Sequence, residues 1–280
     1  MAVSPVKFTR PLTPSQQMVY ESFITTGARI SRDFGIQTKI RGSDIERLDR
    51  QMADLSPSRQ EMEDFIYGAT RHKIDLLNKS VQPSDRQAQL CESALRSAKE
   101  VVNHAGFSFD PPEVVFIPSS AFSDRLLGLY LSFVNKAAIP AEGLDDRTTV
   151  QSIIHESLHG TSFGLPGPLD EGVTEFLAVL GMDGFGKVNP GVLDIPDNPQ
   201  DLARKEYQAE YGTFVLFLMK GCFEKINKAY FTGDDTDLSS ALGAGTWNNI
   251  RELSFKYCLE DRPGDIDYFE AVMKLLGINI

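Results

Sequence analysis

The spacing of apolar residues predicts that the first hundred residues are helical. Val19, Phe23 and Ile30, for example, recur at intervals that place them on one side of a helix. A Thr-Pro pair at residue 13 and the sequence Ser58-x-x-Glu61, in which the two side chains cap the backbone reciprocally, are typical helix starts. Helices are expected over residues 13–34 and 43–55, from 58 onward, and from 84 to about 104.

The pattern changes at Gly106, where short β-branched runs replace the helical spacing. One strand is expected at 111–118, and one or two more within 126–140. Helices are expected at 148–160, with Thr148 or Thr149 as the cap, at 169–180 and at 206–226. A loop is expected at 181–200, and further helices complete the chain. This order predicts an α+β protein that is predominantly helical with a small mixed sheet. The predicted division is an N-terminal helical region, 1–105, followed by a domain at 106–280.

Composition and charge narrow the classes of partner. The net charge of −11 disfavours nucleic acids and anionic membranes, because both bind basic surfaces. The three cysteines are widely separated and match no disulfide framework. Neither a secretory signal nor an apolar run of membrane-spanning length is evident, so a cytoplasmic protein is expected unless a signal-independent route exports it.

The segment IIHESLHG, residues 153–160, contains the chemically informative pattern HExxH. Residues four apart share one face of a helix, so His155 and His159 are expected to point the same way. Their imidazoles could share one tetrahedral Zn²⁺, and Glu156, the next residue round, could act as general base towards an activated water. The alternative is a helix that carries these residues by accident.

A zinc site of this kind needs a third ligand. No histidine follows His159, so a downstream ligand has to be a carboxylate. The segment PLDEGVTEFLA, residues 168–178, offers Glu171 and Glu175, four apart on an expected helix. The loop before it is long enough for the chain to reverse, so Glu171 is expected to complete a His-His-Glu set. Glu175 could accept the ring N–H of a ligand histidine and so fix its tautomer.

HExxH followed by LDEG and a glutamate four positions later resembles the gluzincin metallopeptidases, the group of thermolysin and the zinc aminopeptidases. The resemblance extends over residues 126–225 and implies a zincin-like catalytic core with Zn²⁺ as cofactor. The site residues that it implies are the zinc ligands His155, His159 and Glu171, the general base Glu156, and Glu175 beside a ligand histidine. The G-x-M-E-N segment of the aminopeptidases is absent, so an endopeptidase acting on a protein or peptide is expected.

Two further features are candidates for substrate contacts. Tyr207 and Tyr211 lie on one face of the expected helix 206–226, and either hydroxyl could donate to the oxyanion of the reaction. The resemblance favours Tyr207, because several gluzincins supply a tyrosine from such a helix; alternatively, both rings pack in the core. The strand at 127–135 could hold an extended peptide by edge pairing, or be purely structural.

Two other classes of function fit the same residues. One is a zinc enzyme acting on a small metabolite, with the loop at 181–200 shaping its pocket. The other is a binding protein built on a catalytically retired peptidase fold. Glu156 weighs against a retired enzyme, which has no need of a general base. The leading expectation is therefore a zinc-dependent metallopeptidase that hydrolyses a peptide bond.

Overall fold

A computed structural model describes residues 3–4, 8, 11–53, 55–122, 127–189, 191–193, 195, 202–204, 207–259 and 265–278. Most of these residues are helical, and the strands form only small sheets, which confirms the α+β class. Within the described ranges, no helix combines the length and the apolar character that crossing a membrane requires.

The secondary structure follows the expected order. The helices are α1 (Pro14–Phe34), α2 (Gly42–Met52), α3 (Arg59–Leu77), α4 (Asp85–His104), α5 (Asp146–Thr161), α6 (Gly167–Val188), α7 (Gln208–Met219), α8 (Phe223–Thr232), α9 (Thr236–Leu242), α10 (Ala244–Leu259) and α11 (Asp265–Leu275). The strands are β1 (Val3–Ser4), β2 (Thr38–Lys39), β3 (Glu113–Ile117), β4 (Leu129–Leu131) and β5 (Lys136–Pro140). Helix α3 opens with the capping box predicted at Ser58, and α1 begins at the predicted Thr-Pro start, where Thr13 and Gln16 form a second capping box that the sequence analysis did not identify.

Three expected boundaries were wrong. Helix α6 runs on to Val188, so the first part of the loop expected at 181–200 is helical, while residues 190, 194 and 196–200 of that loop lie outside the described residues. The single helix expected at 206–226 is two, because the chain turns at Gly221 (φ 64°), a left-handed conformation that glycine adopts readily; residue 206 is outside the described residues. Helix α5 begins at Asp146, before the expected Thr148 or Thr149.

By packing, the chain falls into two compact units: residues 1–96 with 110–161, and residues 97–109 with 162–280. The strands and α5 therefore group with the N-terminal helices, although the sequence suggested a boundary at residue 105. The physical reason is a shared core. Side chains of the sheet, such as Leu131 and Ala138, pack with Ile30 of α1 and Ile74 of α3.

In the first unit, a mixed three-stranded sheet supports α5. The strand order is β3-β5-β4; β3 pairs in parallel with β5, and β4 pairs antiparallel with β5 from Leu129↔Ala138 to Leu131↔Lys136. Helix α5 packs against β4 and β5. Strand β4 thus lies at an edge of this sheet, next to the helix that carries HExxH.

In the second unit, helices pack around an aromatic core. Helix α6 packs against α7 and α10, and α7 packs against α11. Among the fully buried side chains, the Trp247 ring meets Phe217 edge to face, and the Tyr230 hydroxyl lies 2.7 Å from Thr174 Oγ1 on α6. The Thr174–Tyr230 contact helps to hold α6, the helix that carries Glu171 and Glu175.

Candidate metal centre

The Asp145 side chain, which the sequence analysis did not identify, caps the N-terminus of helix α5. The Asp145 carboxylate accepts the backbone N–H of Thr148 at 2.7 Å, which satisfies a donor that the first helical turn leaves free. Hydrogen bonds from Thr148 hold the pKa of Asp145 below its usual value. Every residue from Thr149 to Gly160 is buried, so packing fixes the HExxH segment on all sides.

His155 and His159 face each other one turn apart, as predicted from their spacing. Their Nε2 atoms lie 3.1 Å apart, and the two residues are only 1% and 5% exposed. Zinc binds imidazole nitrogens at about 2.0–2.1 Å with tetrahedral angles, which separates two such nitrogens by about 3.3 Å. The pair is therefore already spaced as two ligands of one zinc ion would be.

Glu171 is the third member of this group. A carboxylate oxygen of Glu171 and one ring nitrogen from each histidine all lie within 4.8 Å of one another. Glu171 itself is half-buried, whereas both histidines are buried. Two imidazoles and one carboxylate are the ligand set of His-His-Glu zinc enzymes, so the residues fit a zinc ion.

Glu156 occupies a confined position beside the backbone of Gly128. The Glu156 side chain is 4% exposed, and a Cβ added to Gly128 would come within 2.9 Å of its Oε1 atom. Only a glycine leaves the Glu156 carboxylate its present position where the backbone at residue 128 comes this close. The sequence showed Gly128 inside an expected strand, a signal of close backbone approach, but gave no indication of its neighbour.

Tyr130 lies beside the histidine pair and was not among the predicted site residues. Its ring is stacked nearly parallel to that of His159, with 6.3 Å between the ring centroids and 16° between the planes. The hydroxyl donates to Asn135 Oδ1 at 3.1 Å, and Asn135 has a left-handed backbone (φ 51°), which asparagine tolerates. Tyr130 therefore forms part of the wall around His159.

Glu175 is fully buried and is held by Arg204, a residue that the sequence reading missed. Arg204 donates its backbone N–H to Oε1 at 2.8 Å, and its guanidinium donates to Oε2 at 2.8 and 3.0 Å. A buried carboxylate requires such pairing, because an unpaired charge is costly in the interior. The role of Glu175 beside a ligand histidine stays a prediction.

The two candidate tyrosines differ in position and surroundings. Tyr207 is the N-cap residue of α7, with the guanidinium carbon of Arg204 4.5 Å from its ring centroid, whereas Tyr211 lies within the helix. Burial, together with the negative charge of Glu175, raises the pKa of Tyr211, so its hydroxyl keeps its proton at neutral pH. The choice between them as oxyanion donor also remains a prediction.

Comparisons with protein families, with curated proteins and with solved structures found no match for this chain. A function has to follow from the residues and their geometry.

Proposed function

We propose that this chain is a zinc-dependent metallopeptidase of the gluzincin type, acting as an endopeptidase. The observation that carries the proposal is the grouping of His155, His159 and Glu171, whose ligand atoms lie within 4.8 Å of one another. Glu156 adds an acid–base group directly beside the first histidine.

The chemistry divides between the metal and the protein. A zinc ion at this site would polarise the scissile carbonyl and acidify a water molecule. Glu156 would accept the proton that the attacking water loses and deliver it to the nitrogen of the departing amine, so the C–N bond breaks without a strongly basic leaving group. A hydroxyl from Tyr207 or Tyr211 would donate to the developing oxyanion.

Strand β4 supports a peptide as the substrate. In the described sheet, β4 pairs with β5 on one side and lies at the edge on the other. An extended peptide can pair with such an edge through main-chain hydrogen bonds, independently of its sequence. Tyr130 is on this strand and also lies against His159, so a peptide paired there would run beside the metal ligands. A HExxH helix packed on a sheet with an antiparallel edge strand is consistent with a zincin-like core.

The first test measures metal binding. We expect close to one zinc per chain in the purified protein, and its loss or strong weakening in His155→Ala and Glu171→Ala, because each variant removes one ligand. Glu100→Ala is the matched control, since Glu100 is an exposed carboxylate on α4. Wild-type protein that takes up no zinc even after refilling would rule out the metal centre.

The second test measures peptide hydrolysis. Casein and a mixed peptide library should be cleaved, and both a zinc chelator and Glu156→Gln should abolish the cleavage, with the zinc content of Glu156→Gln unchanged. Zinc binding without cleavage of any peptide would exclude the peptidase and leave a metabolite enzyme or a binding protein.

A further inference from the structure

Residues 38–41, here called the anchor segment, connect the N-terminal helices to the metal-binding part of the first unit. Ile40 is 3% exposed and belongs to a core cluster with residues of α1, α2 and α3. The segment is extended, and successive residues of an extended chain face opposite sides. Lys39 and Arg41 therefore point away from that cluster, and both reach residues around His159.

Lys39 holds the end of the HExxH helix. Its Nζ atom donates to the carbonyl oxygen of Gly160 at 2.6 Å, and to Asp110 at 2.7 Å (Oδ2) and 3.3 Å (backbone oxygen). The side chain is 17% exposed, so the ammonium is largely shielded from water. Its backbone N–H also donates to Phe133 O at 2.9 Å, which fixes the anchor segment beside the β4–β5 loop.

The carbonyl that Lys39 contacts needs a partner. Gly160 lies in the last turn of α5, whose final carbonyls have no intrahelical donor. The N–H of Gly164, four residues on, donates instead to Tyr230 O at 3.1 Å. A cation at this position also interacts favourably with the negative end of the helix dipole. Since Gly160 directly follows His159, the ammonium fixes the backbone that carries this ligand.

Arg41 approaches the His159 side chain by a separate route. Its guanidinium carbon lies 5.4 Å from the centroid of the Tyr130 ring, within the range of a cation–π interaction. The Tyr130 ring in turn stacks on the imidazole of His159. Arg41 is 7% exposed, so the contact is shielded from solvent. The anchor segment thus acts on the backbone next to His159 and, through Tyr130, on its ring.

We propose that the anchor segment positions His159 for metal binding, with Lys39 fixing the last turn of α5 and Arg41 acting through Tyr130. The N-terminal helical region is then a structural component of the metal site. This inference rests on the metal centre of the proposed function and does not require peptide hydrolysis.

The test measures zinc affinity by competition with a chromophoric chelator, and the visible absorption of the Co²⁺-substituted full-length chain. Lys39→Met keeps the side-chain volume but removes the donors, and Tyr130→Leu removes the stacked ring. Each should weaken zinc binding about tenfold, as the loss of groups that orient metal ligands commonly does. Each should also shift the Co²⁺ absorption bands, which report ligand geometry.

Conservative variants and a control separate positioning from general stability. Lys39→Arg and Tyr130→Phe should restore zinc affinity to within about threefold of wild type, because they keep the charge and the ring. Lys136→Met is the control: Lys136 also pairs with a carboxylate, that of Glu113 on β3. It should leave the affinity and the Co²⁺ spectrum unchanged.

Several outcomes would overturn the inference. The first is wild-type affinity and spectrum in both Lys39→Met and Tyr130→Leu. The second is a lowered melting temperature with an unchanged Co²⁺ spectrum, which would make the contacts merely structural. If one variant fails to fold, the other still decides. A wild-type chain that binds no zinc would remove both this inference and the proposed function, whereas zinc binding without hydrolysis would remove only the peptidase.

Discussion

The sharpest prediction concerns Gly128, whose backbone lies against the candidate general base. In Gly128→Ala the new Cβ would stand 2.9 Å from Glu156 Oε1 and 3.0 Å from its Cγ, where ordinary contacts begin at 3.4 Å. The carboxylate or the strand therefore has to move by about 0.4–0.5 Å, the difference between these distances. The 4% exposure of Glu156 leaves the side chain little room to yield.

The expected effect follows from that displacement. A misplacement of about 1 Å at a reacting group can cost about 100-fold in rate, so half of that distance should lower kcat/KM about tenfold. A tenfold loss corresponds to about 1.4 kcal/mol of transition-state stabilisation. The proposed metal ligands are untouched, so the zinc content should stay near the wild-type value. Overpacking should cost about 1–3 kcal/mol of stability, partly offset because alanine restricts the unfolded chain.

The assay compares kcat/KM for peptide cleavage, zinc content and melting temperature in wild type and Gly128→Ala. If the alanine acts through the carboxylate, kcat/KM should fall while the zinc content stays at the wild-type value. Gly68→Ala is the matched control, because its new Cβ would meet nothing within 4 Å. Unchanged kcat/KM in Gly128→Ala would refute the reasoning, and so would a loss of zinc, which would place the effect on the ligands.

Three further predictions concern stability. In Gly172→Ala the new Cβ would clash with the backbone oxygen of Glu210 on α7, so the free energy of unfolding should fall by about 3 kcal/mol. That corresponds to a decrease of roughly 6–12 °C in Tm. Gly184→Ala on the same helix has open space around the new Cβ and should not show this loss. Arg204→Met leaves the buried carboxylate of Glu175 without the guanidinium that pairs with it, so the free energy of unfolding in urea should fall by about 3–5 kcal/mol. Replacing both residues should recover part of this loss. An Arg204→Met variant as stable as wild type would contradict the prediction. A hydrogen bond from Lys228 lowers the pKa of Asp234 from 3.8 to about 2. Because the folded-state pKa is depressed, Asp234 stabilises the protein above its ordinary pKa and loses that contribution as the pH falls towards about 2. Asp234→Asn should flatten this part of the pH profile of unfolding, and an unchanged profile would count against it.

Elements encoded by local signals were predicted well. The Thr-Pro pair at residue 13 and the capping box at Ser58 marked the starts of their helices correctly, because each signal lies within one turn of the start that it marks. The ends of elements were predicted less well. The apolar pattern at 206–226 continues across Gly221, so the prediction kept one helix, yet the chain turns there in a left-handed conformation. Periodicity detects the buried face of a helix but not a single residue that ends it.

The candidate site divides in the same way. His155 and His159 converge because the helical repeat itself places them one turn apart, so the sequence predicted their geometry as soon as the helix was recognised. Glu171 was predicted as the third ligand by its residue type and by the length of the preceding loop. Its place within 4.8 Å of the histidines depends on how the chain folds between them.

The sequence by itself determined the α+β class and identified the candidate donor set and the candidate general base, because these depend on residue type and on spacing within one or two helical turns. Only the tertiary structure decided what surrounds them. Lys39 at the end of α5, Tyr130 against His159 and Gly128 against Glu156 are contacts between residues far apart in the chain. Such contacts are set by the packing of shared cores, such as the one that joins α1 and α3 to the sheet, and no local period in the sequence records them.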